Sequence, residues 1–204
     1  YVAALEAEYV IPSFSRRQTM IREQLERVAS ELKATVVIDQ DLLEEVTGLV
    51  EWPVALAGSF EPRFLEVPSE ALVLSMKEHQ KYFHLVDQAG ALIPNFITIS
   101  NIESVDPTQV ILGNERVIRP RLSDAAFFFE TDKKTPLIDR LEQLKAIVFQ
   151  RQLGTLYDKT LRVERLAGAL ATELGSQTEL ARRAALLSKA DLAIRFDADL
   201  QSLQ

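Results

Sequence analysis

Few residue types in this chain could do chemistry, and their spacing limits what that chemistry is. The two histidines, His79 and His84, lie five residues apart with no HExxH-type carboxylate pattern around them. Each reads better as a surface or strand-satisfied side chain than as a metal ligand. There is no cysteine, which excludes a thiolate metal site, a thiol nucleophile and a disulfide framework. Gly58-Ser59 does not complete a GxSxG nucleophile elbow. No glycine-rich loop of the Walker or dinucleotide kind is present to cradle a phosphate. Adjacent acids such as Glu44-Glu45 read as a solvated helix face. The residues assign no catalytic group and no metal ligand.

The remaining chemistry is that of cations. The formal net charge is −7, from 23 Lys/Arg and 30 Asp/Glu, which at first argues against a nucleic-acid partner. The charge is uneven, however. Between Gly113 and Arg165 stand 11 Lys/Arg and 8 Asp/Glu, a local +3 inside a remainder of −10. An acidic protein can therefore carry a basic surface. Arg116, Arg119 and Arg121 are spaced closely enough to act together, and guanidinium forks match phosphate oxygens. The competing reading pairs them with Glu115, Asp124 and Glu130 inside a packed helical region.

The elements that must position these groups follow from periodicity. Tyr9-Val10-Ile11-Pro12 is short and β-favouring, and Ile21, Leu25, Val28 and Leu32 then mark one buried helical face. Ser13 and Ser15 are credible caps for that helix. A brief strand is expected over 35–39 and a helix from Asp41 to Val50. Strands are expected over 52–60, 81–86 and 92–100, with a helix over 68–78. Asp87-Gln88-Ala89-Gly90 punctuates a hairpin. After Pro107 the chain reads as almost wholly helical. Those helices cover 110–129, with Pro120 kinking or splitting the segment, and then 136–149, 158–174 and 177–192. Phe127, Phe128 and Phe129 read as core on the first of them. The fold class is α+β: a mixed β-containing domain over 1–135, then an all-helical domain over 136–204.

No apolar run approaches the roughly 18–20 residues that span a bilayer. No basic, then apolar, leader opens the chain. Because it begins at Tyr1 without a methionine, it reads as a fragment cut from a longer protein, and a cytoplasmic origin is expected.

Asp158–Ala167 and Ala181–Leu192 resemble the opening helices of an HD-type phosphohydrolase domain. That family has a His before its R-V pair and a His-Asp doublet after its A-A-L-L run. Here neither His is present, and Ser188-Lys189-Ala190-Asp191 occupies the second place. Metal chemistry needs those ligands, so the resemblance implies a non-catalytic HD-like scaffold.

Longer stretches resemble the β subunit of bacterial-type glycyl-tRNA synthetase. They include Leu43–Val54, Phe64–Leu72, Met76–Phe83, Pro94–Ile97 and Ser100–Glu103. The most specific are Gly113-Asn114-Glu115-Arg116-Val117-Ile118-Arg119-Pro120-Arg121-Leu122-Ser123-Asp124-Ala125 and Phe149-Gln150-Arg151-Gln152-Leu153-Gly154-Thr155-Leu156-Tyr157-Asp158-Lys159. Ala193–Gln204 departs from the family pattern.

The resemblance implies a middle piece of that subunit, joining a B3/B4-like domain to the start of a degenerate HD-like domain. It implies tRNA(Gly) as one partner, and the α subunit, or a fused α portion, as the other. ATP and Mg belong to the α part, and this fragment holds no cofactor and is inactive alone. The candidate phosphate-contacting residues are Arg116, Arg119, Arg121, Lys133, Lys134, Arg151, Lys159 and Arg162. The alternatives are a structural connector without RNA contact and, disfavoured by the missing histidines, a living phosphohydrolase.

Overall fold

In the computed structural model, which describes residues 1–194, the apolar spacing of the first long helix closes as expected. α2 (Phe14–Glu31) buries Ile21, Leu25, Val28 and Ala29, and the Ser13 side chain caps it by accepting from the Arg16 N–H. A short α1 (Val2–Ala7) precedes it. The β-favouring stretch after α1 does not extend, because Tyr9 takes a left-handed backbone (φ 61°) and Val10 N–H turns back to the Leu5 carbonyl.

The first compact unit, Tyr1–Ala126, is built on an antiparallel sheet. Its strands are β1 (Thr35–Val36), β2 (Val54–Ser59), β3 (Phe83–Val86) and β4 (Leu92–Ser100), in the order β1-β3-β4-β2. β2 pairs with β4 from Val54↔Ser100 to Ser59↔Asn95, and β3 joins β4 through the hairpin at Asp87. The Asp87 carboxylate holds that turn by accepting from the Ala89 and Ala91 N–H groups. Strand alternation sends Phe83, Leu85 and Ile97 to one face. There they meet α2 and α3 (Gln40–Leu49), whose Leu42, Leu43 and Val46 complete the core. Phe96 packs elsewhere: its ring stacks on Tyr82 with centroids 4.4 Å apart. α4 (Ser69–Leu74) runs on through one π turn, Ser75–His79, and buries Leu72 and Met76.

α5 (Pro107–Lys133) carries Pro120 in its interior without being split by it. The second unit begins inside this helix, at Phe127. Phe127 is 62% exposed, so it is not core, whereas Phe128 and Phe129 are half-buried.

Two expectations for the second unit need correction. Leu137–Ala146 is a 3-10 helix, because Leu141, Leu144 and Ile147 recur every third residue and pack on one side. The unit is also not wholly helical. Val148-Phe149 is β-favouring, and β5 (Val148–Gln150) pairs with β6 (Gly154–Thr155) across a turn. Gly154 supplies a left-handed backbone there (φ 86°), and a Cβ on it would lie 2.4 Å from Asp158 Oδ2. α6 (Leu156–Glu173) opens on a capping box between Thr155 and Asp158. It packs against α7 (Thr178–Leu187), which ends early where the Ser188 hydroxyl donates to the Ala185 carbonyl. The sequence departure over 193–204 lies outside the described residues from 195 onward.

Candidate nucleic-acid interface

The rotation of α5 decides what its arginines can reach. Ile118 and Leu122 are fully buried, and two polar anchors fix the helix around them. Glu115 Oε1 accepts from Ser59 N–H at 2.8 Å and from its hydroxyl at 2.9 Å. Asn114 Oδ1 accepts from the Tyr82 hydroxyl at 2.6 Å. At about 100° per residue, Arg116 and Arg119 lie about 60° apart, while Arg121 is about 160° from Arg119. The three arginines therefore do not share one face.

Arg119 Nε pairs with Glu61 Oε1 at 2.9 Å, and the other Glu61 oxygen is buried without a hydrogen-bond partner among the described residues. Arg121 flanks the opposite side of the buried stripe. Its charge is felt by His79, whose pKa lies below the usual imidazole value chiefly through burial and then through Arg121. Burial also pushes the Tyr82 phenol up to about 12. Arg116 is exposed and makes no ion pair among the described residues. The pairing with Glu115, Asp124 and Glu130 does not form: Glu115 holds Ser59, and Glu130 holds Lys133 at 2.9 Å.

In the second unit, Lys133 also lies 5.2 Å from the Phe129 ring centroid, and Lys134 beside it is exposed. Arg151 is exposed in the β5–β6 turn. The turn is held by Gln150 Oε1, which accepts from the Gln152 and Leu153 N–H groups. Lys159 and Arg162 are one turn apart on α6. Lys159 Nζ lies 4.0 Å from the centroid of the Phe149 ring. The nearby carboxylate of Asp158 is already occupied: it accepts from Thr155 N–H and from the Thr155 hydroxyl, each at 2.8 Å. Those bonds hold its pKa below the carboxylate norm, with smaller help from Arg162 and Lys145. Lys145 is drawn to Glu142 at 2.7 Å, which raises its pKa, and lies 4.7 Å from the Tyr157 ring.

The aromatic partners Phe149 and Tyr157 were not predicted as site residues. The signal available was an aromatic next to a cation, Phe149-Gln150-Arg151, in a stretch with strand propensity. Among the described residues, no three His, Cys, Asp or Glu side chains are grouped to hold a metal ion. Nor is any described helix long and apolar enough to cross a membrane.

The family model of the glycyl-tRNA synthetase beta subunit matches residues 1–204. The chain belongs to that family. Relatives named glycine–tRNA ligase beta subunit include that of Hahella chejuensis, 58% identical over 196 residues, covering 96% of this chain and 28% of that protein. Those of Acinetobacter baylyi and Marinobacter nauticus are 54% and 55% identical, each covering all of this chain and 30% of the relative. The chain thus spans under a third of the curated relatives it matches, and its arginines and lysines belong to a segment of the family's longer chains.

Proposed function

We propose that this segment serves glycyl-tRNA synthesis by binding and positioning tRNA(Gly), without catalysing a step itself. In this reading it works in the cytoplasm beside an α subunit or fused α portion, where ATP, Mg and glycine are handled. The first unit acts as the B3/B4-like part and the second as a non-catalytic HD-like scaffold. One observation carries the reading: in a chain of this family, Arg116, Arg121, Lys134, Arg151 and Arg162 are exposed and form no ion pair among the described residues. Unpaired exposed cations can neutralise phosphates, and such contacts place an RNA without reading its bases.

The connector reading finds support at Arg119, which is tied to Glu61, and at Arg140, which is buried against Asp132. It accounts for those two residues and leaves the five exposed cations unexplained.

The test is filter binding of tRNA to the full-length chain carrying Arg116→Glu, Arg151→Glu and Arg162→Glu, at two salt concentrations. Affinity should fall, and its salt dependence should flatten by roughly 0.7–0.9 in log–log slope for each phosphate that is no longer neutralised. Unchanged affinity would assign the segment to the connector role.

A further inference from the structure

The β5–β6 hairpin presents apolar side chains to solvent that a packed connector would cover. Val148 is 71% exposed, Phe149 39% and Leu153 53%. The turn between the strands carries the exposed Arg151. The Lys159 ammonium lies 4.0 Å from the Phe149 ring centroid, a cation–aromatic geometry. Arg162 stands one turn along α6 from Lys159 and is exposed. Asp158, next to Lys159 in sequence, has its carboxylate turned into the capping box with Thr155. A part-exposed ring with a lysine against it thus sits on a hairpin whose turn carries Arg151, and the α6 helix that supplies the lysine carries Arg162 one turn further on.

Resting on the tRNA-binding reading above, we infer that Phe149 is a stacking platform for one unpaired nucleotide, whose phosphates are held by Lys159, Arg151 and Arg162. The chemistry selects this ligand. A base offers a π face for the ring, and its backbone offers a negative charge one residue's reach away for the ammonium. A duplex offers only the charge, because its bases are already stacked. Unpaired bases are the ones that RNA-binding proteins stack on aromatic side chains and guanidinium planes. The platform is rigid where it must be. β5 holds the Phe149 backbone, the Gln150 side chain ties the turn, and the Thr155–Asp158 box fixes the first turn of α6 that carries Lys159.

The experiment uses the full-length chain and two RNA probes, a blunt duplex and the same duplex bearing a short single-stranded tail. Phe149→Leu should weaken binding of the tailed probe roughly tenfold and leave the blunt probe unchanged, the scale of removing one base–aromatic stack. Phe149→Tyr, which keeps the ring, should bind as the parent does. Lys159→Met should flatten the salt dependence for the tailed probe by about 0.7 in log–log slope. Equal binding of the tailed probe by the parent and Phe149→Leu overturns the inference. If Phe149→Leu instead weakens association with the α part while RNA binding holds, the hairpin is a protein-docking element and the inference also fails. Failure of the broader reading looks different: the Arg116, Arg151 and Arg162 reversals then leave tRNA affinity untouched. If those reversals weaken binding and Phe149→Leu does not, only the stacking platform falls.

Discussion

Arg140 Nη2 lies 3.0 Å from Asp132 Oδ1, and these side chains are only 6% and 10% exposed. The guanidinium also donates to the carbonyls of Asp132, Thr135 and Ala193. One cation thereby gathers the start of the second unit, the 3-10 helix and the short turn at Ala190–Ala193. Arg140→Met should destabilise this unit by about 3–5 kcal/mol, the scale for breaking a buried ion pair by removing one partner. Hydrogen exchange should show reduced protection over 137–146, with α2 and α3 of the first unit unaffected. Removing this pair from the charge count of 113–165 leaves 10 basic and 7 acidic residues, so the local surplus stays at +3. The basic character of the segment therefore does not depend on its buried arginine.

Gly58 is held glycine by the Phe96 ring. A Cβ at position 58 would stand 2.4 Å from Phe96 Cζ, and Phe96 cannot retreat easily because Tyr82 stacks on it at 4.4 Å. Gly58→Ala should cost about 1–3 kcal/mol, as overpacking of a filled core does. The added substitution Phe96→Leu, which opens space above the methyl, should recover part of that stability in the melting temperature.

The parts of the fold set by local pattern were readable from the sequence, and the parts set by tertiary demand were not. Ile21, Leu25 and Val28 announced α2 because an amphipathic helix repeats its apolar residues at three and four. Asp87 to Gly90 announced the β3–β4 hairpin through its turn chemistry. The hairpin at Val148–Thr155 was concealed because its strands are only three and two residues long and lie between helical patterns. Pro120 was expected to kink or split α5, and the helix is not split, running unbroken from Pro107 to Lys133. For the candidate interface, the cations themselves were visible as a charge surplus. Their grouping was not, because Arg119 meets Glu61 across 58 residues of sequence, and no local spacing reports that encounter.

Acid should weaken the first unit in two separate steps. Burial holds the His84 imidazole below its ordinary pKa, partly offset by Asp39, and His79 is lowered likewise by burial and Arg121. The unfolded chain therefore takes up these protons first. Their contribution to stability is fully present above about pH 6.5 and is lost as pH falls toward the lower folded values. Asp39 is lowered by its hydrogen bond from Lys77 at 2.6 Å. Its contribution is present above about pH 3.9 and is lost on further acidification through its folded value. Denaturant titrations between about pH 7 and 5 should show a smaller decline for His84→Gln than for the parent, and smaller still when His79→Gln is added.

Arg116 and Arg119 are neighbours on α5 with different commitments, and one substitution at each separates binding from folding. Arg116 is exposed and unpaired among the described residues, so Arg116→Glu should leave the melting temperature unchanged while lowering RNA affinity and its salt slope. Arg119→Glu places a second carboxylate beside Glu61, whose Oε2 is already buried without a partner among the described residues. Because the Arg119 side chain is 57% exposed, the broken pair itself is worth only about 0–1 kcal/mol, and the new repulsion adds to it. Arg119→Glu should therefore lower both the melting temperature and the affinity. The double substitution Arg119→Glu with Glu61→Arg restores the pair in reverse. It should recover stability, and it should recover RNA binding only if the weaker affinity of Arg119→Glu came from the helix rather than from the guanidinium. A melting curve and a filter-binding titration on the same four proteins decide between those two origins.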